Sequence, residues 1–113
     1  MPIFAGVMIA AAGVLVAVVG RLTATGRIGR NAFAGIRTRR SMADDESWAI
    51  VHRAAQPWMI AGGAVMVLTG GVAAAVPGEA AAAIVVGAGV GVAVVLTLLG
   101  TFTGHRELRN RVR

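Results

Sequence analysis

Cysteine is missing from this 113-residue chain, and its 11 basic residues are all arginine. Without cysteine there is no disulfide framework, no thiolate nucleophile and no cysteine-based metal centre. Charge is scarce as well, at 14% of residues, where a soluble domain carries about a quarter. Hydrophobic residues make up 57% of the chain and the mean hydropathy is +0.76, too apolar for a soluble domain of this length. The apolar residues are mostly Ala, Val and Gly, which suit close helix packing in lipid. The arginine-only basic set, beside so much Ala, Gly and Val, fits a GC-rich bacterial genome and bears only on localisation.

Three uncharged runs, Ile3 to Gly20, Ala54 to Gly78 and Ala80 to Gly104, each approach or exceed the roughly 20 residues a helix needs to cross the hydrocarbon core. The expected fold is an all-α membrane protein, a single membrane domain over 1–113. It has helix 1 at about 3–22, an Arg-rich cytoplasmic loop at about 23–56, helix 2 at about 57–76, helix 3 at about 80–103 and a basic cytoplasmic tail over 104–113. The first run is expected to be retained, because Met1-Pro2-Ile3-Phe4 offers no positive n-region of a signal peptide. Val76-Pro77-Gly78-Glu79 predicts a tight helical hairpin between the second and third spans.

Loop charge sets the orientation. The segment from Arg21 to Arg53 holds seven Arg against Asp44, Asp45 and Glu46, the segment after Gly104 holds four Arg against Glu107, and the hairpin carries only Glu79. The positive-inside rule then predicts a multi-pass protein of the bacterial plasma (inner) membrane, with its N-terminus outside and its loop and C-terminus in the cytoplasm. Within the loop, Ser41-Met42-Ala43-Asp44 has capping-box spacing, and the acids behind it suit a helix's first turn. A short amphipathic interfacial helix is expected from near Ser41, with Trp48, Val51, His52 and Ala55 on one face. At Pro57 it either bends or hands over to the second span. Trp48, Trp58 and Phe102 are expected at the cytoplasmic headgroup level and Phe4 at the outer one.

Small residues recur at helical spacing. Gly6, Gly13 and Gly20 in the first span, Gly63 and Gly70 in the second, and Gly87 and Gly91 in the third are the candidate helix-packing positions. The stripes serve either packing within the three-helix unit or a partner-binding face.

Chemistry-bearing groups are few. No ionisable side chain falls in the central part of any span, which removes most support for a transporter. Thr69, Thr97, Thr101 and Thr103 are expected to bond back to their own helices. His52 and His105 each stand beside an Arg, without a Cys, Ser or second His at catalytic or metal spacing. A helix dipole accounts for Asp44, Asp45 and Glu46 without a metal. No catalytic residue, cofactor or metal site is predicted, and the chain is read as not an enzyme. Arg27, Arg30, Arg37, Arg39 and Arg40, interleaved with glycine, serve either as topology-setting charges drawn to anionic membrane lipids or as a contact for a partner. No nucleic-acid partner is expected.

Gly29-Arg30-Asn31-Ala32-Phe33-Ala34-Gly35-Ile36-Arg37-Thr38, followed by Ser41, Trp48 and His52-Arg53, resembles the SdpI-like family of membrane proteins. The resemblance implies a non-enzymatic membrane protein. The family's namesake protects its producer from a secreted toxic peptide and holds a transcriptional repressor at the membrane. It also implies that Asn31, Gly35, Ile36, Arg37, Thr38, Trp48, His52 and Arg53 form a compact cytoplasmic cap against the helix ends. Two functional readings follow. One is an accessory or regulatory subunit of a larger membrane complex, such as a transporter, docking on an integral-membrane partner or a second copy. The other is immunity or signalling against a membrane-active toxic peptide.

Overall fold

The structure, a computed structural model, describes residues 2–31 and 33–111. Met1, Ala32 of the loop motif, and Val112 and Arg113 of the expected tail lie outside the described residues. The described chain forms α1 (Pro2–Ala24), α2 (Asp45–Ala75) and α3 (Glu79–Arg111), each long and apolar enough to cross a membrane. At about 1.5 Å per residue, α2 and α3 exceed a hydrocarbon core of about 30 Å by several turns. Both overhang at the end where α1 runs into the loop, because Gly20 of α1 and Gly100 of α3 lie beside Met59 and Trp58 of α2. The first turns of α2, the last turns of α3 and the loop therefore share one cap.

α2 lies in the middle, packed against α1 on one side and α3 on the other, while α1 and α3 scarcely touch. Its backbone meets that of α1 through glycine. A Cβ on Gly13 would lie 2.5 Å from the Gly63 carbonyl oxygen and 2.7 Å from Met66 Cβ, and Gly6 meets the Gly70 carbonyl in the same way. Gly20 approaches Met59, whose Cβ would lie 2.9 Å from an added Cβ. The repeat of seven residues on both helices keeps one contact stripe in register over several turns.

The third span departs from expectation. Gly87 and Gly91 face away from α2, and a Cβ at either would meet nothing within 4 Å. Gly89 sits between them on the opposite side of the helix and receives the Thr69 side chain. Gly100 and Gly104 continue that contact, with the Trp58 Cβ and the Val51 carbonyl oxygen each 2.8 Å from an added Cβ. Spacing of four residues puts Gly87 and Gly91 on one stripe, but only the neighbouring helix decides which stripe is covered.

Helix ends also shift. α2 starts at Asp45 with Asp44 as its N-cap, whose carboxylate accepts the Ser47 N–H at 2.6 Å, rather than near Ser41. That bond, first among the causes, holds the Asp44 carboxyl below its ordinary pKa. Ser41 is buried instead, its hydroxyl engaged by the loop. Pro57 sits inside α2, so the amphipathic stretch and the second span are one helix. Its apolar face is covered by the loop and α3 and does not lie on a membrane surface. Trp48, 3% exposed, belongs to this cap interior and not to the headgroup layer. α3 continues through Arg111, past the helix end expected at about residue 103 and into the basic tail, because Leu108 is buried in the cap and Arg111 bridges Glu107 at 2.7 Å one turn back. The buried apolar cluster, Ile36, Ile50, Val51, Ala55, Met59 and Leu108, sits at this end of the molecule.

Candidate functional site: a turn held by two histidines

Among its described residues the loop between α1 and α2 has no regular secondary structure, yet its buried polar side chains are paired. Asn31 nucleates it. Its Oδ1 accepts the Phe33 and Ala34 N–H groups at 2.8 and 2.7 Å, and its Nδ2 donates to the Gly29 and Ala34 carbonyls at 2.8 and 3.0 Å. A short side chain bonding its neighbours' backbone is the usual way asparagine fixes a turn. Arg30 ties this turn to the start of α2 through Asp45 at 2.8 Å.

From there the chain turns inward at Gly35, whose φ of +103° favours glycine. The site has no room for a side chain either, since an added Cβ would lie 2.8 Å from both His52 Nε2 and Trp48 Cη2. Trp48 and His52, one helical turn apart on α2, stack with ring centroids 4.0 Å apart, and the indole N–H donates to the Ile28 carbonyl at 3.0 Å. His52 is fully buried. Its Nε2 accepts the Ile36 N–H at 2.7 Å, and its Nδ1 lies 2.8 Å from the Trp48 carbonyl. An amide can only donate and a carbonyl only accept, so the ring is neutral with its hydrogen on Nδ1. Burial, which disfavours the cation, accordingly lowers the pKa of His52, a group in the cap rather than in the span that follows Pro57.

Two residues further along, Thr38 reaches the other long helix. Its hydroxyl lies 2.7 Å from His105 Nε2, while His105 Nδ1 lies 2.7 Å from the Thr101 carbonyl. The two histidines thus use the same device, an Nδ1–H donated to the carbonyl four residues earlier and an Nε2 facing the turn. Ser41 closes the turn, donating to the Ile36 carbonyl at 2.6 Å and accepting the Thr38 N–H at 2.9 Å. No buried side-chain nitrogen or oxygen among the described residues lacks a partner.

The structure therefore brings Asn31, Gly35, Ile36, Thr38, Trp48 and His52 into one cap. Arg37 stands on its outer surface, where Nε donates to the Asn31 carbonyl at 3.2 Å. Arg53 is exposed elsewhere and lines a cavity of about 430 Å³ between α2 and α3 with Thr103 and Glu107. Sequence reasoning passed over Ser41 and His105 as site residues. No local pattern links His105 to a turn 67 residues earlier; its one local mark is a Thr four positions before it, the spacing at which its Nδ1 bonds back. Of the four span threonines expected to bond back, Thr97 does so to the Ala93 carbonyl at 2.9 Å and Thr101 to the Thr97 carbonyl at 3.0 Å, whereas the Thr69 side chain lies against Gly89. Among the described residues no group of three or more His, Asp or Glu side chains is placed to hold a metal.

The single exposed bond of Arg37 sets the size of its effect. Arg37→Lys is expected to lower stability by under about 1 kcal/mol, the net worth of one solvent-facing hydrogen bond. Arg39→Lys and Arg40→Lys, whose side chains make no hydrogen bond among the described residues, should leave the melting temperature in detergent unchanged. A large loss for Arg37→Lys alone would reveal a shaped contact beyond the Asn31 carbonyl.

No curated protein and no solved structure matches the chain. The sequence model of the SdpI/YfhL protein family matches residues 27–102, from the start of the loop through the turn, all of α2 and most of α3. With two thirds of its length matched, including the turn and His52 on which it is anchored, the chain belongs to the SdpI/YfhL protein family.

Proposed function

We propose that this protein works by binding rather than by catalysis, as a small accessory or regulatory subunit of a larger bacterial membrane complex. One observation carries the reading. The imidazole and hydroxyl groups of His52, His105, Thr38 and Ser41 are engaged in holding the turn, whereas the Arg37, Arg39 and Arg40 side chains are exposed. A hydrogen-bonded cap bearing exposed guanidinium groups presents a surface suited to carboxylate or phosphate groups. The α3 face bearing Gly87 and Gly91, uncovered by α2, is the surface offered to another membrane helix. Purification in mild detergent tests this directly. A stoichiometric membrane partner supports the subunit reading, and recovery of the chain alone removes it.

Family membership favours a second reading, immunity or signalling against a membrane-active peptide. Expression in a peptide-sensitive host separates the two, since only this reading requires resistance to accompany expression without a partner.

Both readings put the cap in the cytoplasm, with the N-terminus and the hairpin at Gly78 outside, an orientation that the arginine distribution favours. The chain has no cysteine, so single-cysteine variants report without background. An impermeant thiol reagent applied to intact cells is expected to label Glu79→Cys and to leave Arg39→Cys unlabelled. The opposite pattern overturns the topology.

A further inference from the structure

Beneath the turn, on the outer side of α3, runs a shallow groove of about 490 Å³. Leu98, Phe102, His105 and Arg109 form one wall as a single stripe of α3, and Thr38 and Arg40 overhang it from the cap. The stripe changes character along its length. Leu98 and Phe102 are largely exposed and belong to the apolar part of the helix, whereas Arg109 lies in its polar overhang. From Leu98 to Arg109 the rise is about 16 Å, enough to pass from upper acyl chain to headgroup. Among the described residues the ion pairs are Arg30–Asp45 and Arg111–Glu107, which leaves Arg40 and Arg109 without a carboxylate partner. Two guanidinium groups without a carboxylate partner thus line the groove, Arg109 at the polar end of the α3 stripe, with the bare Leu98 side chain at the other end.

We propose that this groove binds one acidic phospholipid, its headgroup phosphate between Arg40 and Arg109 and its first acyl methylenes along Leu98 and Phe102. The order of polarity along the groove matches the order along such a lipid. Guanidinium forks suit phosphate oxygens, and the exposed Phe102 ring suits the glycerol and upper-chain region. Thr38 forms part of the wall and is anchored on His105, so the bound lipid and the latched turn stabilise each other. The inference rests on the membrane placement proposed above, which the cysteine-labelling pattern tests separately.

The test is native mass spectrometry on delipidated protein in neutral detergent, titrated with phosphatidylglycerol, phosphatidylcholine or inorganic phosphate. Wild type is expected to retain one phosphatidylglycerol in preference to phosphatidylcholine and to retain no inorganic phosphate. The double variant Arg40→Gln/Arg109→Gln should weaken phosphatidylglycerol retention by on the order of tenfold or more, given about one tenfold step for each one to two basic contacts. The charge-matched control Arg27→Gln/Arg106→Gln, whose residues lie outside the groove, should retain it as wild type does. Equal loss in the two double variants would mean bulk attraction, equal retention of the two lipids would mean an apolar surface only, and retention of inorganic phosphate would mean a soluble-anion site. Each of these overturns the proposal. An unchanged melting temperature of the groove variant in lipid-free detergent keeps a lipid defect distinct from a folding defect.

Discussion

Leucine in place of Gly63 is expected to detach α1 from α2 and to abolish cooperative thermal unfolding of the purified protein. A single Cβ at this position would meet the Gly13 carbonyl and lie 2.9 Å from both the Ala17 nitrogen and Cβ. Two of the obstructing atoms are backbone, so no rotamer change relieves the clash and the helix axes must separate. Overpacking a close interface costs about 1–3 kcal/mol where side chains can adjust, and more where they cannot. In lipid no hydrophobic force pulls the separated helices together again, since association there depends on close packing and interhelical hydrogen bonds. Gly13→Leu meets the same obstacle from the other side and should behave alike. Gly91→Leu, which adds its side chain to an open face of α3, should melt as wild type does. Wild-type melting of Gly63→Leu would refute the close approach of α1 and α2, whereas a melting defect in Gly91→Leu would point to a covered α3 face.

The second large effect belongs to His52. His52→Ala removes the acceptor of the Ile36 N–H, the Nδ1–H bond to Trp48, and the ring against which Trp48 stacks, all in a fully buried position. An unsatisfied buried donor and a side-chain-sized void together predict a loss of about 2–4 kcal/mol. The cap should loosen while the spans stay helical, so hydrogen exchange ought to quicken at Ile36 and Thr38 before it does in α1.

Acid should reproduce part of this in the wild-type protein. The unfolded chain takes up a proton on His52 near the ordinary value of about 6.5, while the folded chain, with this ring buried, has its pKa below that. The stabilising difference is complete above the unfolded value and shrinks as the pH falls toward the folded one. Melting temperature should therefore drop on acidification below about pH 6.5, and His52→Phe, which cannot titrate, should show a smaller drop. Equal acid sensitivity in wild type and His52→Phe would remove His52 as the source.

The sequence by itself determined what depends on composition and order along the chain. Long uncharged runs leave no soluble way to bury their apolar surface, so three apolar helices and the hairpin at Gly78 follow from hydropathy and turn chemistry alone. The loop motif was legible too, since Gly29 through Thr38 with Trp48 and His52 pointed to the family later matched over residues 27–102. Only the tertiary structure decided which faces meet. Gly89 rather than Gly87 or Gly91 faces α2, because adjacent stripes of a glycine-rich helix differ by a rotation that the neighbouring helix sets. Ser41 yields the N-cap to Asp44 because its hydroxyl is held between Ile36 and Thr38, a contact absent until the turn folds. α3 outlasts its apolar run because Leu108 finds the cap core, and His105 gains its role from a threonine 67 residues away. Periodicity reports which residues share a face of one helix. Whether that face is covered, and by what, depends on contacts between distant segments that no local pattern encodes.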